Sequence, residues 1–166
     1  MPERVTVRRA TRDDVEAIQR VAERTWYRTY DGILDEETIE SMLAAGYSTE
    51  LLEELIDSEA VGLFVATAGD EVVGYTSTTP LAEDGISELD VYVDPDRWGE
   101  GFGTRLLERA GERLSSQGIE EIRDAVLAEN EPGNAFYNTH FEKVDERSVE
   151  IGGVERVANV YEGSVG

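Results

Sequence analysis

The spacing of apolar residues changes several times along the chain, and each change marks an element. Val5 and Val7 alternate with polar neighbours, which predicts a short first strand. Thr11-Arg-Asp-Asp14 has the form of a helix cap followed by an acidic first turn. Val15, Ile18, Val21, Ala22 and Trp26 then recur at helical spacing through about residue 28, and Tyr27-Arg-Thr-Tyr-Asp-Gly32 is expected to break the helix. Two more helical stretches follow near 35–45 and 49–58. The period falls to two at Val61–Thr67 and again at Val72–Thr78, and Gly69-Asp70 between them predicts an antiparallel hairpin. Ile86–Val93 reads as a strand, Gly103–Ser116 as a helix with Leu106, Leu107, Ala110 and Leu114 inward, and Ile119–Leu127 as a strand parallel to the first. A short helix near 132–139 precedes a last hairpin, Glu142–Ile151 with Val154–Tyr161, turned at Gly152-Gly153. Neither repeats nor linkers interrupt this order.

Composition narrows the function. The 166 residues fit a single domain spanning 1–166, and no apolar run nears the roughly 20 residues of a membrane span, so a cytoplasmic protein is expected. A net charge of −22 repels phosphate backbones and anionic lipid, so neither nucleic acid nor membrane is an expected partner. Lys143 is the only lysine among the basic residues, the rest being arginine. That skew with abundant Asp and Glu resembles proteins of salt-loving organisms, in which salt screens self-repulsion. With no cysteine there is no disulfide, thiolate metal site or thioester-forming nucleophile, and the lone His140 makes no metal site, so no metal is expected.

The segment Val91-Tyr-Val-Asp-Pro-Asp-Arg-Trp-Gly-Glu-Gly-Phe-Gly-Thr-Arg105 sets three alternate glycines between a strand and an amphipathic helix. Gly99, Gly101 and Gly103 permit close backbone approach, and amide groups at a helix N-terminus form a nest for an anion, with Arg97 and Arg105 nearby. As a bare pattern it serves equally as a structural turn. The Gly-Lys-Ser/Thr ending of a P-loop is absent, and the spacing is G-x-G-x-G rather than the G-x-G-x-x-G of dinucleotide folds.

This segment resembles the acetyl-CoA motif of the GNAT-type N-acetyltransferases, which usually reads Gln or Arg, two residues, Gly, one residue, Gly or Ala. Trp98 stands at the motif's first position and Arg97 one place early. Asn130-Glu-Pro-Gly-Asn-Ala-Phe-Tyr-Asn-Thr-His-Phe141 is similar to the family's Asn-x-x-Ala-x-x-Phe-Tyr block, without the Gly before the last Phe. Trp26-Tyr-Arg-Thr-Tyr30 resembles a subgroup with Trp and Tyr beside the acceptor.

The resemblance implies an α/β (α+β) fold with a mixed, mostly antiparallel sheet of about seven strands. A parallel pair splayed at the centre would admit the pantetheine arm of acetyl-CoA, held by main-chain groups of Val91-Tyr92-Val93 and by Asn130. Backbone from Trp98, Gly99 and Gly101 through Phe102, Gly103 and Thr104 would hold the pyrophosphate, with Arg97 close by. Trp26, Tyr27 and Tyr30 would line the pocket of an amine acceptor, and an acidic rim would steer cations to it. By family position Tyr137 would protonate the departing thiolate. A lysine-like amine, with a pKa of about 10.4, must lose a proton before attack. Glu88 and Asp90 share one face of their strand, and Glu88 is nominated as the base with Asp90 and Asp124 behind it. Lacking cysteine, the chain is expected to act by direct attack in a ternary complex. The alternative is a noncatalytic acyl-CoA-binding regulatory module. A homodimer accords with the frequency of dimers among proteins it resembles.

Overall fold

The computed structural model describes residues 4–81 and 85–165. In chain order these form β1 (Val5–Arg9), α1 (Val15–Tyr30), α2 (Glu36–Gly46), α3 (Thr49–Asp57), β2 (Gly62–Ala68), β3 (Glu71–Pro80) and β4 (Ile86–Val93). They continue with α4 (Phe102–Ser116), β5 (Glu121–Leu127), α5 (Glu131–His140), β6 (Glu142–Ile151) and β7 (Val154–Ser164). The strands make one 7-stranded sheet in the order β1-β2-β3-β4-β5-β7-β6. Every neighbouring pair is antiparallel except β4 and β5, which run parallel across the α4 crossover.

The helix expected to run to about residue 28 continues to Tyr30, and its break falls at the end of the expected Tyr27–Gly32 turn, where Asp31 leaves helical geometry and Gly32 takes φ 82°. Tyr27 through Tyr30 contain no glycine or proline, so nothing removes the main-chain bonds that extend the helix. The start of α1 is also pinned. Thr11 N–H donates to Asp14 Oδ2 at 2.8 Å, and Arg8 grips both oxygens of the same carboxylate at 2.8 and 2.9 Å. A 3-10 turn over Arg12–Asp14 therefore leads into α1. β3 and β7 run to Pro80 and Ser164, past their expected limits of Thr78 and Tyr161.

Ile18, Val21 and Ala22 of α1 are buried with Leu63, Val65 and Tyr75 of the sheet. On α4, Leu106, Ala110 and Leu114 are buried, and Leu107 is only partly covered. Each buried leucine contributes roughly 1.5–3 kcal/mol by leaving water. Rigid strands on both sides of the α4 crossover fix the geometry of its N-terminus.

The parallel pair supplies the feature on which the site depends. β4 and β5 pair only at Ile86 with Glu121 and Ser87 with Ile122. Beyond that point β4 stays bonded to β3 as far as Val93, and β5 to β7 as far as Leu127. The two central strands therefore part like a fork, open toward their C-terminal ends.

Candidate active site

The open fork is a cleft of about 680 Å³. Backbone alternation decides which groups reach into it. Asp94 N–H bonds Val73 O at 2.8 Å, so Tyr92 and Asp90 also turn their main-chain groups toward β3, leaving those of Leu89, Val91 and Val93 directed into the fork. On the opposite strand Ala128 N–H bonds Val157 O at 2.9 Å, which turns Ala125 and Leu127 toward the same gap.

Two of the carbonyls on the β4 edge already have donors. Leu89 C=O accepts from the Tyr137 hydroxyl at 3.2 Å. Val93 C=O accepts from Trp98 Nε1 at 2.8 Å and from Thr25 Oγ1 at 3.3 Å. Val91 lies between them. It is the residue on this edge best placed to meet an extended ligand in the manner of an added strand.

The glycine turn sits at the mouth of the cleft. Asp94 opens it by accepting from Asp96 N–H at 3.0 Å, and Arg24 of α1 ties Asp94 and Asp96 to the helix at 3.2 and 2.5 Å. Gly99 and Gly101 have φ of 84° and 88°, conformations that a side chain disfavours, and Gly101 caps α4. Gly103 acts differently. A Cβ there would lie 2.9 Å from Phe136 Cε1, so its bare backbone lets α5 close on α4. Arg97, Trp98, Phe102 and Thr104 all border the cleft. Arg97 Nη1 lies 3.4 Å from Glu100 Oε1.

Tyr137, Asp124 and Asp90 stand in the cleft, with Trp26, Tyr30 and Asn130 around them. Tyr137 is buried, its ring stacked on Tyr161 at 5.5 Å and edge-on to Phe136 at 5.7 Å, and its oxygen is 2.6 Å from Asp124 Oδ2. Ala125 N–H donates to Asp124 Oδ1 at 2.9 Å. Burial, then the charge of Asp90, pushes the Asp124 carboxyl up to about 8. Desolvation, then the charge of Glu88, raises Asp90 to about 6, although its side chain is exposed to solvent in the open cleft. The Tyr137 hydroxyl is raised well above its ordinary value, chiefly by burial and then by Asp124.

Other residues singled out from the sequence are placed differently. Glu88 stands at the crotch of the fork, solvent-exposed, and is not part of the cleft wall. Tyr27 lies outside the wall too, packed near Ile39 and Leu127. Asn130 Oδ1 caps α5 by accepting from Gly133 N–H at 2.8 Å, while its Nδ2 lies 3.4 Å from the Tyr30 hydroxyl. Sequence reasoning missed Thr25 and, from the far hairpin, Arg147, Val149 and Ile151, which close the cleft opposite α1. Their only signal was inward alternation along β6. Among the described residues, no group of three or more His, Cys, Asp or Glu is arranged to hold a metal.

A forked parallel pair, a glycine turn at the head of α4 and a tyrosine beneath the fork define an acetyltransferase of the GNAT class. The chain belongs to that family: the Acetyltransferase (GNAT) family profile matches residues 21–141. It is 30% identical over 146 residues to spermidine N(1)-acetyltransferase of Thermoplasma acidophilum, covering 86% of this chain and 90% of that protein. An uncharacterized N-acetyltransferase, YuaI, of Bacillus subtilis is 31% identical over 158 residues, covering 90% and 87%. The crystal structure of PaiA N-acetyltransferase from Thermoplasma acidophilum in complex with coenzyme A superposes with a TM-score of 0.84 at 27% identity, covering 97% of this chain and 99% of that one. Acetyl-CoA is the cosubstrate of the family.

Proposed function

We propose that this acetyltransferase moves the acetyl group of acetyl-CoA to a primary amine on a small polycation, by direct attack in a ternary complex. The observation that carries the reading is the cleft itself, whose wall includes both the glycine turn at the head of α4 and a group of carboxylates and aromatics, Asp90, Asp124, Trp26, Tyr30 and Tyr137. Similarity to a spermidine N(1)-acetyltransferase favours a polyamine.

Each part of the chain has a task. Amides from Gly99 to Thr104 and the α4 N-terminus hold the diphosphate. Val91 aligns the pantetheine arm along β4. Asp90 attracts the ammonium group and accepts its proton, a role that suits a carboxyl raised toward neutral pH. Glu88, outside the cleft wall, adds charge to the approach. Trp26 and Tyr30, with ring centroids 4.9 Å apart, offer π faces to the cation. Tyr137 donates to the departing sulfur.

The test is thiol release from acetyl-CoA in concentrated KCl with spermidine, spermine, putrescine, an aminoglycoside and a lysine peptide. Turnover is expected with the polyamines. CoA binding without turnover of any amine overturns the reading in favour of a noncatalytic binding module.

A further inference from the structure

The proton inventory around Tyr137 does not close if Asp124 is a simple carboxylate. The hydroxyl has one hydrogen and two acceptors in reach, Leu89 O at 3.2 Å and Asp124 Oδ2 at 2.6 Å. Main-chain alternation points the Leu89 carbonyl at the fork, where β5 has already departed, so no strand partner serves it. If Tyr137 donates to Asp124, that buried carbonyl loses its donor. If Asp124 carries a hydrogen on Oδ2, every group is satisfied: Asp124 donates to the Tyr137 oxygen, Tyr137 donates to Leu89, and Ala125 N–H donates to Asp124 Oδ1 at 2.9 Å.

We infer that Asp124 is a protonated carboxylic acid in the resting enzyme and refills Tyr137 during acetyl transfer, acting as a positioning and proton-supplying residue behind the acid. The inference rests on the acetyl-transfer reading. As the amine nitrogen bonds to the acetyl carbon and the carbon–sulfur bond breaks, Tyr137 gives its proton to sulfur and takes the Asp124 proton. The acceptor's ammonium has by then passed its first proton through Asp90 to solvent, and the second proton, lost from nitrogen as the amide forms, goes to Asp90. In the transfer step two carboxyls thus share one proton, held by Asp124 before transfer and by Asp90 after it, and return of the proton to Asp124 resets the site. From the neutral amine onward, no charge is created or lost in the cleft.

The surroundings favour one proton on the pair. Asp90 and Glu88 face Asp124 from β4, Tyr30 from α1 and Tyr137 from α5, while Tyr161 is its register partner on β7. Arg147 of β6 borders the same cleft. Like charges brought together in a partly desolvated cleft do not both ionise readily.

Carboxyl ¹³C NMR titration of the full chain, with no acceptor present, tests the resting state directly. One aspartate resonance should titrate far above the usual carboxylate range and be missing in Asp124→Asn. If every aspartate titrates normally, the inference is overturned, whether or not the protein transfers acetyl groups. Asn at this position can still donate to Tyr137 but cannot release a proton. Its variant should therefore bind CoA as the parent does while kcat falls at least tenfold and the alkaline limb of the kcat profile disappears. An unchanged kcat, or a reduced kcat with that limb intact, reduces Asp124 to packing and also overturns the inference.

Discussion

Replacing Trp98 by Phe isolates the hydrogen bond that fastens the glycine turn to the end of β4. The indole N–H reaches Val93 O at 2.8 Å, and Trp98 is 37% exposed, so the smaller ring forfeits little burial. Arg28 lies 5.8 Å from the Trp98 ring centroid, and a phenyl ring keeps a face for it. Val93 O retains Thr25 Oγ1 at 3.3 Å, which spares it the full penalty of an orphaned carbonyl. What remains is the net worth of one hydrogen bond, about 0.5–1.5 kcal/mol. If that energy holds the amide nest in its binding geometry, the substitution should raise the Kd for CoA about 2- to 10-fold, since 1.4 kcal/mol is about tenfold. Isothermal titration at high KCl measures it, with thermal unfolding of the free protein as control. An unchanged Kd with a lowered Tm would place the bond in the stability of the fold and refute preorganisation of the turn.

Gly103→Ala forces a methyl to 2.9 Å from Phe136, a steric cost of about 1–3 kcal/mol that exceeds the roughly 1 kcal/mol gained in helix propensity. Thermal unfolding should show a net loss and titration a weaker grip on CoA. Tyr137→Phe should lower kcat by about 10²- to 10⁴-fold with little change in CoA affinity, read by single-turnover kinetics. Asp124 has a raised folded pKa, so its contribution to folding is most favourable below the unfolded value near 4 and worsens as pH rises toward about 8. Asp124→Asn should consequently raise Tm at pH 8 more than at pH 4, and equal shifts at both would contradict the raised pKa. Asp14 behaves in the opposite sense: Arg8 and Thr11 outweigh burial and hold it low, so its stabilisation is present above pH about 4 and is lost on acidification. An Asp14→Asn variant should be destabilised at pH 7 and converge on the parent near pH 2 in denaturant titrations.

The helices and strands were readable because their signals are local. Val15, Ile18 and Val21 repeat at 3.6 residues, and Gly69 or Gly152-Gly153 mark turns whatever the rest of the chain does. The glycine turn and the Phe136-Tyr137 block were legible for the same reason, although only the first is explained by local backbone chemistry. The relations that make a site of them join distant parts of the chain. Asp124 and Tyr137 lie 13 residues apart and meet only because α5 folds back under β5. Asp90 and Glu88 alternate identically in sequence, yet the divergence of the strands one residue after Ser87 puts Asp90 in the cleft wall and leaves Glu88 at its closed end. Arg147, Val149 and Ile151 become neighbours of α1 through the β5-β7-β6 strand order, which hydropathy does not encode. The overrun of α1 is the reverse case, in which Tyr27-Arg-Thr-Tyr30 looked like part of a turn but carried no helix-breaking chemistry.

With only two residue pairs joining β4 to β5, the sheet is mechanically two panels meeting at a seam. A pantetheine chain lying along Val91 would act as a removable zip, carrying hydrogen bonds between panels that the protein's own backbone leaves apart. Because Asp90 stands on one panel and Asp124 on the other, an occupied zip would also tie together the two halves of the chamber that faces the acceptor.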